Sequence, residues 1–283
     1  MRRQGVGIVI RRIVVFSLVA VALSVPSATV AAAAPSLPSS MAAIGDSITR
    51  ATDVCCWYGD HPPESWSTGG GLFDGIMSHY ERLLVLNARI YGHNYNDARA
   101  GAKMKDAQAQ AQAAVAQGAR YVTILMGGSD ACTSSPSTMT SVSVFRSEFV
   151  ATMNVLAAGL PAGSHVFVAS IPNIYRLWQL FHGNLAAQLV WSVAQICQSM
   201  LSPANTEQDR QAVLARVEMF NQVLADVCAA PAYHEMCRFD DDALFDHQFT
   251  TSEVSKLDYF HPSLAGQATL ASLTWQHSWW STP

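Results

Sequence analysis

Short runs of apolar and β-branched residues recur along the chain, at Met41 to Ile44, Arg89 to His93, Tyr121 to Met126 and His165 to Ile171, with Cys237 to Phe239 as a shorter fifth candidate. Runs of this length without polar alternation read as strands covered on both faces. Longer stretches of helical periodicity lie between them. Ala102 to Gln117 is rich in alanine and glutamine and predicts a helix stopped by Gly118. Phe145, Phe149, Met153 and Leu156 repeat at helical spacing, as do Val213, Val217, Phe220, Leu224 and Val227, and each stripe reads as a buried helix face. Leu264 to about Trp275 reads as the last helix. This order predicts an α/β fold, a three-layer sandwich in which helices cover both faces of a central parallel sheet of about five strands.

The segment from Met1 to Ala34 breaks the pattern. Arg2, Arg3, Arg11 and Arg12 precede an apolar stretch from Ile13 to Val25 and then Ala31 to Ala34, which is the layout of a cleaved secretory signal. The apolar stretch falls short of the ~20 residues that span a bilayer, so no stable membrane anchor is expected after cleavage. Residues 35–40 read as a short flexible leader and 41–283 as a single domain. Removing residues 1–34 takes four arginines and no acid from 17 basic and 21 acidic residues, leaving 13 against 21 and a net charge of −8. That balance excludes a nucleic-acid partner held by charge.

Six cysteines in an exported chain read as disulfide candidates. Cys228 and Cys237 flank a short proline-containing loop, and Cys132 could reach Cys197 on a later helix. Cys55 and Cys56 remain, as a vicinal disulfide by subtraction or as a free pair, because the eight-membered ring is strained. No second close pair of cysteines or histidines has zinc-site spacing, so neither metal nor cofactor is expected.

The chemistry concentrates at two distant points. Gly45-Asp46-Ser47 ends the first apolar run, and Asp258-Tyr259-Phe260-His261-Pro262 lies near the other end of the chain. A serine hydroxyl becomes a good nucleophile when a base takes its proton, and histidine serves best when a carboxylate fixes its tautomer. Asp258 and His261, spaced i to i+3, supply orienter and base from one turn, whereas an ordinary reading makes Ser47 a helix cap. A helix is expected directly after Ser47. Trp57, Tyr58 and Trp66 are candidates for pocket walls, and Trp275, Trp279 and Trp280 read as burial of the chain end.

These blocks, with the glycine of Asn96-Asp97-Ala98-Arg99-Ala100-Gly101-Ala102 and the segment Gly127-Gly128-Ser129-Asp130, resemble the GDSL-type or SGNH hydrolases from Met41 to about Trp275. The resemblance implies a flavodoxin-like fold and a secreted esterase or lipase, with esterase favoured. Ser47 matches the family's nucleophile, and Asp258 and His261 its acid and base. Backbone N–H groups of Ser47 and Gly101 match its oxyanion donors. Ser129 stands where the family usually has asparagine, which leaves the third oxyanion donor a hydroxyl at best. Small-molecule, carbohydrate and lipid esters are the substrates implied. A secreted binding or interaction protein that keeps the fold with weak or lost catalysis is the alternative.

Overall fold

The computed structural model describes residues 35–71 and 73–281, together with 1, 2, 4, 5 and 7. The signal segment expected at 1–34 therefore lies almost wholly outside the described residues. Every element below falls in the compact unit Ala34–Pro283.

Five strands, β1 (Met41–Gly45), β2 (Asn94–Asn96), β3 (Tyr121–Leu125), β4 (His165–Val168) and β5 (Cys237–Phe239), form one sheet in the order β2-β1-β3-β4-β5. All four pairings are parallel. The helices are α1 (His79–Leu86), α2 (Met104–Ala116), α3 (Gly128–Ala131), α4 (Val142–Gly159), α5 (Tyr175–Phe181), α6 (Leu185–Val193), α7 (Gln198–Leu201), α8 (Glu207–Cys228), α9 (Ala243–Asp246) and α10 (Leu264–Gln276). The expected α/β class, parallel sheet and helix-covered faces are all present.

Period-two alternation sorts the central strands between two cores even though both faces are apolar. Ala42, Ile44, Val122, Ile124, Val166 and Val168 pack with α2, α4 and α8. Met41, Tyr121, Leu125 and Phe167 face the other way, against α1 and α10. Alanine dominates the buried face of α2, at Ala107, Ala111 and Ala114, so this helix lies close to the sheet and to α4. Gly118, at φ 65°, ends it in the left-handed conformation that glycine adopts freely.

Two local expectations are corrected. The second strand does not cover Arg89 to His93. Asn87 accepts from Arg89 N (3.2 Å) and starts a 3-10 turn over Ala88–Ile90, Gly92 turns the chain at φ 75°, and pairing begins only at Asn94. Nor does a helix follow Ser47. Arg50 N donates to Asp46 O (3.2 Å) and Thr52 N to Ser47 O (3.0 Å), a single helix-like turn. Ala51 and Asp53 then take φ 52° and 53°, which a continuing helix excludes.

Residues 35–40 run against the domain: Asn87 donates to Pro38 O (3.0 Å), and Arg120 N and Tyr121 N both reach Ser40 O (3.2 Å). Among the described residues, no helix is long and apolar enough to cross a membrane.

Disulfides join Cys132 to Cys197 and Cys228 to Cys237. Cys55 and Cys56 are free thiols, their Sγ atoms 2.6 Å apart, which corrects the vicinal bridge expected by subtraction. A bond would need about 2.05 Å and a strained ring through the intervening peptide. The two bridges close chain segments of very different length, with sequence separations of 65 and 9. Loop-closure entropy then makes the first worth about 4 kcal/mol and the second about 3 kcal/mol. In urea denaturation, the double serine variant at Cys132 and Cys197 should lose more stability than the one at Cys228 and Cys237. Equal losses, or the reverse order, would show that native-state contacts rather than loop length set these contributions.

Candidate active site

The site begins where β1 leaves the sheet. β2 pairs with β1 only from Met41 to Ala43, so the Gly45 peptide lacks a strand partner on that side. Gln110 of α2 supplies one: Gly45 N donates to Gln110 Oε1 (2.8 Å) and Gln110 Nε2 donates to Gly45 O (3.0 Å). Gly45 must be glycine, because a Cβ there would meet Thr49 Oγ1 at 2.4 Å and Leu125 O at 2.9 Å. The following turn is fixed from inside and outside. Asp46 Oδ1 accepts from Ile48 N (3.0 Å), while Thr49 O accepts from Ser65 Oγ (2.7 Å) and Asn96 Nδ2 (2.9 Å).

Two more loops meet this turn at the carboxyl edge of the sheet, where open parallel sheets place their sites. After β2, Asp97 N donates to Ala43 O (3.0 Å) and Arg99 N to Gly45 O (3.2 Å), which brings Gly101 round at φ 76°. After β3, Gly127 takes φ 127°, and a Cβ would strike Ile171 Cδ1 at 2.4 Å. That tight passage sets α3 against the turn. Buried Asp130 locks it, accepting from Met104 N (2.8 Å) and Thr140 Oγ1 (2.7 Å), and the Cys132–Cys197 bridge ties its end to α7.

The fourth segment carries Asp258 and His261. Tyr259, at φ 55°, turns the chain sharply, so that Asp258 Oδ1 accepts from Phe260 N (2.9 Å) and His261 N (3.1 Å) while Oδ2 meets His261 Nδ1. Ser255 N donates to His261 O (2.8 Å) and closes the loop. Burial pushes the Asp258 carboxyl up, but the His261 contact and the two N–H groups outweigh it and hold it below its ordinary value. His261 shows the converse: burial pushes it down, and Asp258, with help from Asp53 and Asp46, raises it above the ordinary histidine value.

Ser47, Gly101, Ser129 and His261 line one cavity of about 260 Å³, with Gly128 and Phe260 among its other walls. Asp258 stands behind His261 and is buried. Among the described residues, the Ser47 hydroxyl and the Ser47 and Gly101 N–H groups have no protein partner, His261 included. The cavity thus offers an unengaged hydroxyl, an imidazole held by a carboxylate, and free N–H donors. A smaller apolar cavity of about 60 Å³ adjoins it, sharing Ile48, Gly128, Cys132 and Phe260.

Other sequence candidates lie elsewhere. Trp57 and Tyr58 are exposed, and Trp66 is fully buried beneath the sheet against His79. None of the three lines this cavity. Trp275 and Trp280 are buried in the chain-end cluster. Asp53 was missed by the sequence reading: its carboxylate, that of Asp258 and a His261 ring nitrogen lie within 4.8 Å of one another. Asp258 and His261 spend their facing atoms on each other, so this grouping is not a cation cage. Only a contact between opposite ends of the domain sequence could have singled Asp53 out.

A family model described as GDSL-like lipase/acylhydrolase matches residues 41–274. No curated protein matches the chain. Among solved structures, a putative GDSL-like lipase from Parabacteroides merdae aligns with a TM-score of 0.50 at 15% identity, covering 84% of this chain and 94% of its own. It shares the fold. An acetyl xylan esterase aligns at 0.47 and 13%, covering 83% and 98%, and a family 3 carbohydrate esterase from Clostridium thermocellum at 0.46 and 12%, covering 84% and 94%.

Asp46 makes the site costly to fold. Burial pushes its carboxyl up to about 6 from 3.8, against the Ile48 N–H and the His261 charge, which pull it down. Between these values the folded state keeps a proton that the unfolded chain releases, so this group favours folding at low pH and its contribution is lost as pH rises through about 6. Asp46→Asn keeps an oxygen for Ile48 N–H and removes the charge. It should stabilise the fold by up to about 3 kcal/mol near pH 8 and by almost nothing near pH 4. Thermal melts at the two pH values check this; equal shifts at both would rule out the ionisation as cause.

Proposed function

The chain belongs to the GDSL-like lipase/acylhydrolase family, and we propose that it hydrolyses carboxylic esters through a covalent acyl-enzyme on Ser47. The observation that carries this reading is the convergence of Ser47, His261 and the free N–H groups of Ser47 and Gly101 on one cavity, with His261 held from behind by Asp258. His261 Nε2 takes the Ser47 proton as Oγ attacks the carbonyl carbon. Asp258 fixes the Nδ1–H tautomer and stabilises the imidazolium. The N–H groups of Ser47 and Gly101 receive the developing oxyanion. Collapse of the tetrahedral species breaks the ester C–O bond, and the proton on Nε2 leaves with the alcohol. Water, deprotonated by the same histidine, then releases the acid.

The adjoining apolar cavity, walled by Ile48, Ile171, Ile174, Leu177, Val254 and Phe260, suits a short acyl or alcohol group and favours an esterase over a lipase. Carbohydrate esters and other small esters fit that size; long acyl chains would have to run outside it. Residues 1–34 are proposed as a cleaved export signal ahead of one hydrolase domain over 41–283, placing the enzyme outside the cell. The Arg-rich, apolar and alanine-rich succession supports export, as do two disulfides.

A fluorophosphonate should label the protein once, at Ser47, and Ser47→Ala should lose both the label and hydrolysis of p-nitrophenyl esters. Undiminished labelling of Ser47→Ala would remove Ser47 from the mechanism.

Ser129 lines the cavity, and its hydroxyl has no partner among the described residues. Ser129→Asn offers a fixed amide donor in its place and should raise kcat by one to two orders of magnitude, with a smaller change in KM, because the added bond acts on the transition state. Ser129→Ala distinguishes a hydroxyl that already donates, which gives a large loss, from one that does not. A folded Ser129→Asn without gain, beside a fully active Ser129→Ala, places residue 129 outside the oxyanion site.

A further inference from the structure

We infer that Asp53 is a positioning residue for the His261 base, a second carboxylate that shares with Asp258 the work of holding the imidazolium formed during turnover. The inference rests on the ester-hydrolase reading above.

Geometry supports it first. Asp53 lies on the turn that leaves β1 with Ser47, far ahead of Asp258 in sequence, yet the two carboxylates and a His261 ring nitrogen gather within 4.8 Å. The backbone around it is built to keep it there. Asp53 takes φ 53°, a left-handed conformation that aspartate tolerates better than most side chains. Gly59 N donates to Asp53 Oδ1 (2.6 Å) and Asp53 N to Gly59 O (2.8 Å), closing residues 53–59 into a loop. That loop is fastened to the histidine loop twice, by Ser255 Oγ donating to Asp53 O and by Tyr58 Oη donating to Leu257 O (3.0 Å). Ser255 also holds His261 O through its own N–H. The segment that bears the hydroxyl and the segment that bears the imidazole are thus clamped together at Asp53.

Charge supports it second. Asp258 Oδ1 is occupied by two backbone N–H groups and Oδ2 by Nδ1, so one anion already balances one imidazolium. Three carboxylates act on His261: Asp258 of its own loop, and Asp53 and Asp46 from the turn after β1. Burial raises the Asp53 carboxyl, and the nearby Asp258 charge adds to the rise, while Gly59 N–H and His261 pull it down. The two carboxylates repel each other while the ring is neutral. Protonation of the ring relieves that repulsion and favours the charged state through which the reaction passes.

Gly59 N–H needs only an oxygen, so Asp53→Asn keeps the loop and removes the charge, and the loop-bracing and electrostatic roles separate. The readout is the pH dependence of kcat/KM on p-nitrophenyl acetate, whose acid limb reports His261 protonation. In Asp53→Asn this limb should move to lower pH by several tenths of a unit, and kcat should fall roughly tenfold with KM little changed. Asp53→Glu should restore part of both. Asp258→Asn should retain a residual rate that Asp53→Asn/Asp258→Asn lacks. A wild-type limb in folded Asp53→Asn overturns the inference, as does a double variant no slower than Asp258→Asn. If Asp53→Asn does not fold, Asp53→Ser, whose hydroxyl can accept from Gly59 N–H, carries the same reading. Ser47→Ala separates the two levels: inactive Ser47→Ala beside an unshifted Asp53→Asn leaves the Ser47 mechanism standing without this role, and fully active Ser47→Ala removes the Ser47 acyl-enzyme reading on which the inference rests.

Discussion

The pair of hydrogen bonds between the Gln110 amide and the Gly45 peptide holds the molecule's working edge in place. β1 lies in the middle of the sheet, yet its last residue outruns its β2 partner, and a buried, unpaired peptide costs about as much as a lost hydrogen bond on each side. Gln110 satisfies both groups from a helix, sharing the carbonyl with Arg99 N (3.2 Å). The strand can therefore stop where it does, Gly45 can pass close to Thr49 and Leu125, and the chain can turn so that the Ser47 N–H has no backbone partner among the described residues. Gln110 needs α2 to lie close, and the alanines of that helix make this possible.

The opposite wall is governed by charge. One histidine feels the charges of Asp46, Asp53 and Asp258, of which Asp46 and Asp258 are buried and Asp53 is half-buried. Burying the Asp46 and Asp258 carboxylates, with Asp53 half-buried beside them, is expensive, and the structure meets the cost with backbone donors: Ile48 N–H for Asp46, Gly59 N–H for Asp53, and two N–H groups for Asp258. Each donor belongs to a tight turn, and left-handed residues at Ala51, Asp53 and Tyr259 shape those turns. Local strain and favourable charge placement are here the same feature.

How much was legible in the sequence follows from how far each signal reaches. β1, β3 and β4 are buried on both faces and show as uninterrupted apolar runs, and the spacing of Phe145, Phe149, Met153 and Leu156 marked the buried face of α4. β2 is an edge strand of Asn94, Tyr95 and Asn96, half-buried throughout, so no hydrophobic pattern announces it, and the more apolar Arg89 to His93 drew the prediction. The turn after Ser47 reads as a helix because nothing local reveals that Ala51 and Asp53 go left-handed. The convergence of Ser47, Gly101, Ser129 and His261 on one cavity could be anticipated from strand ends and short motifs. Gln110 and Asp53 could not, since one looks like any glutamine of a polar helix and the other meets Asp258 and His261 only once the two ends of the domain come together.

Asp258 and His261 follow the last strand in sequence, whereas Ser47 follows the first. A chain emerging from the ribosome builds β1, α2, β3 and β4 long before the residues after β5 appear. Everything made up to that point carries Ser47 and Gly101 but not the Asp258–His261 pair that completes one wall of the cavity. The order of residues therefore acts as a timer: the cavity is complete only once nearly all of the fold is available to support it.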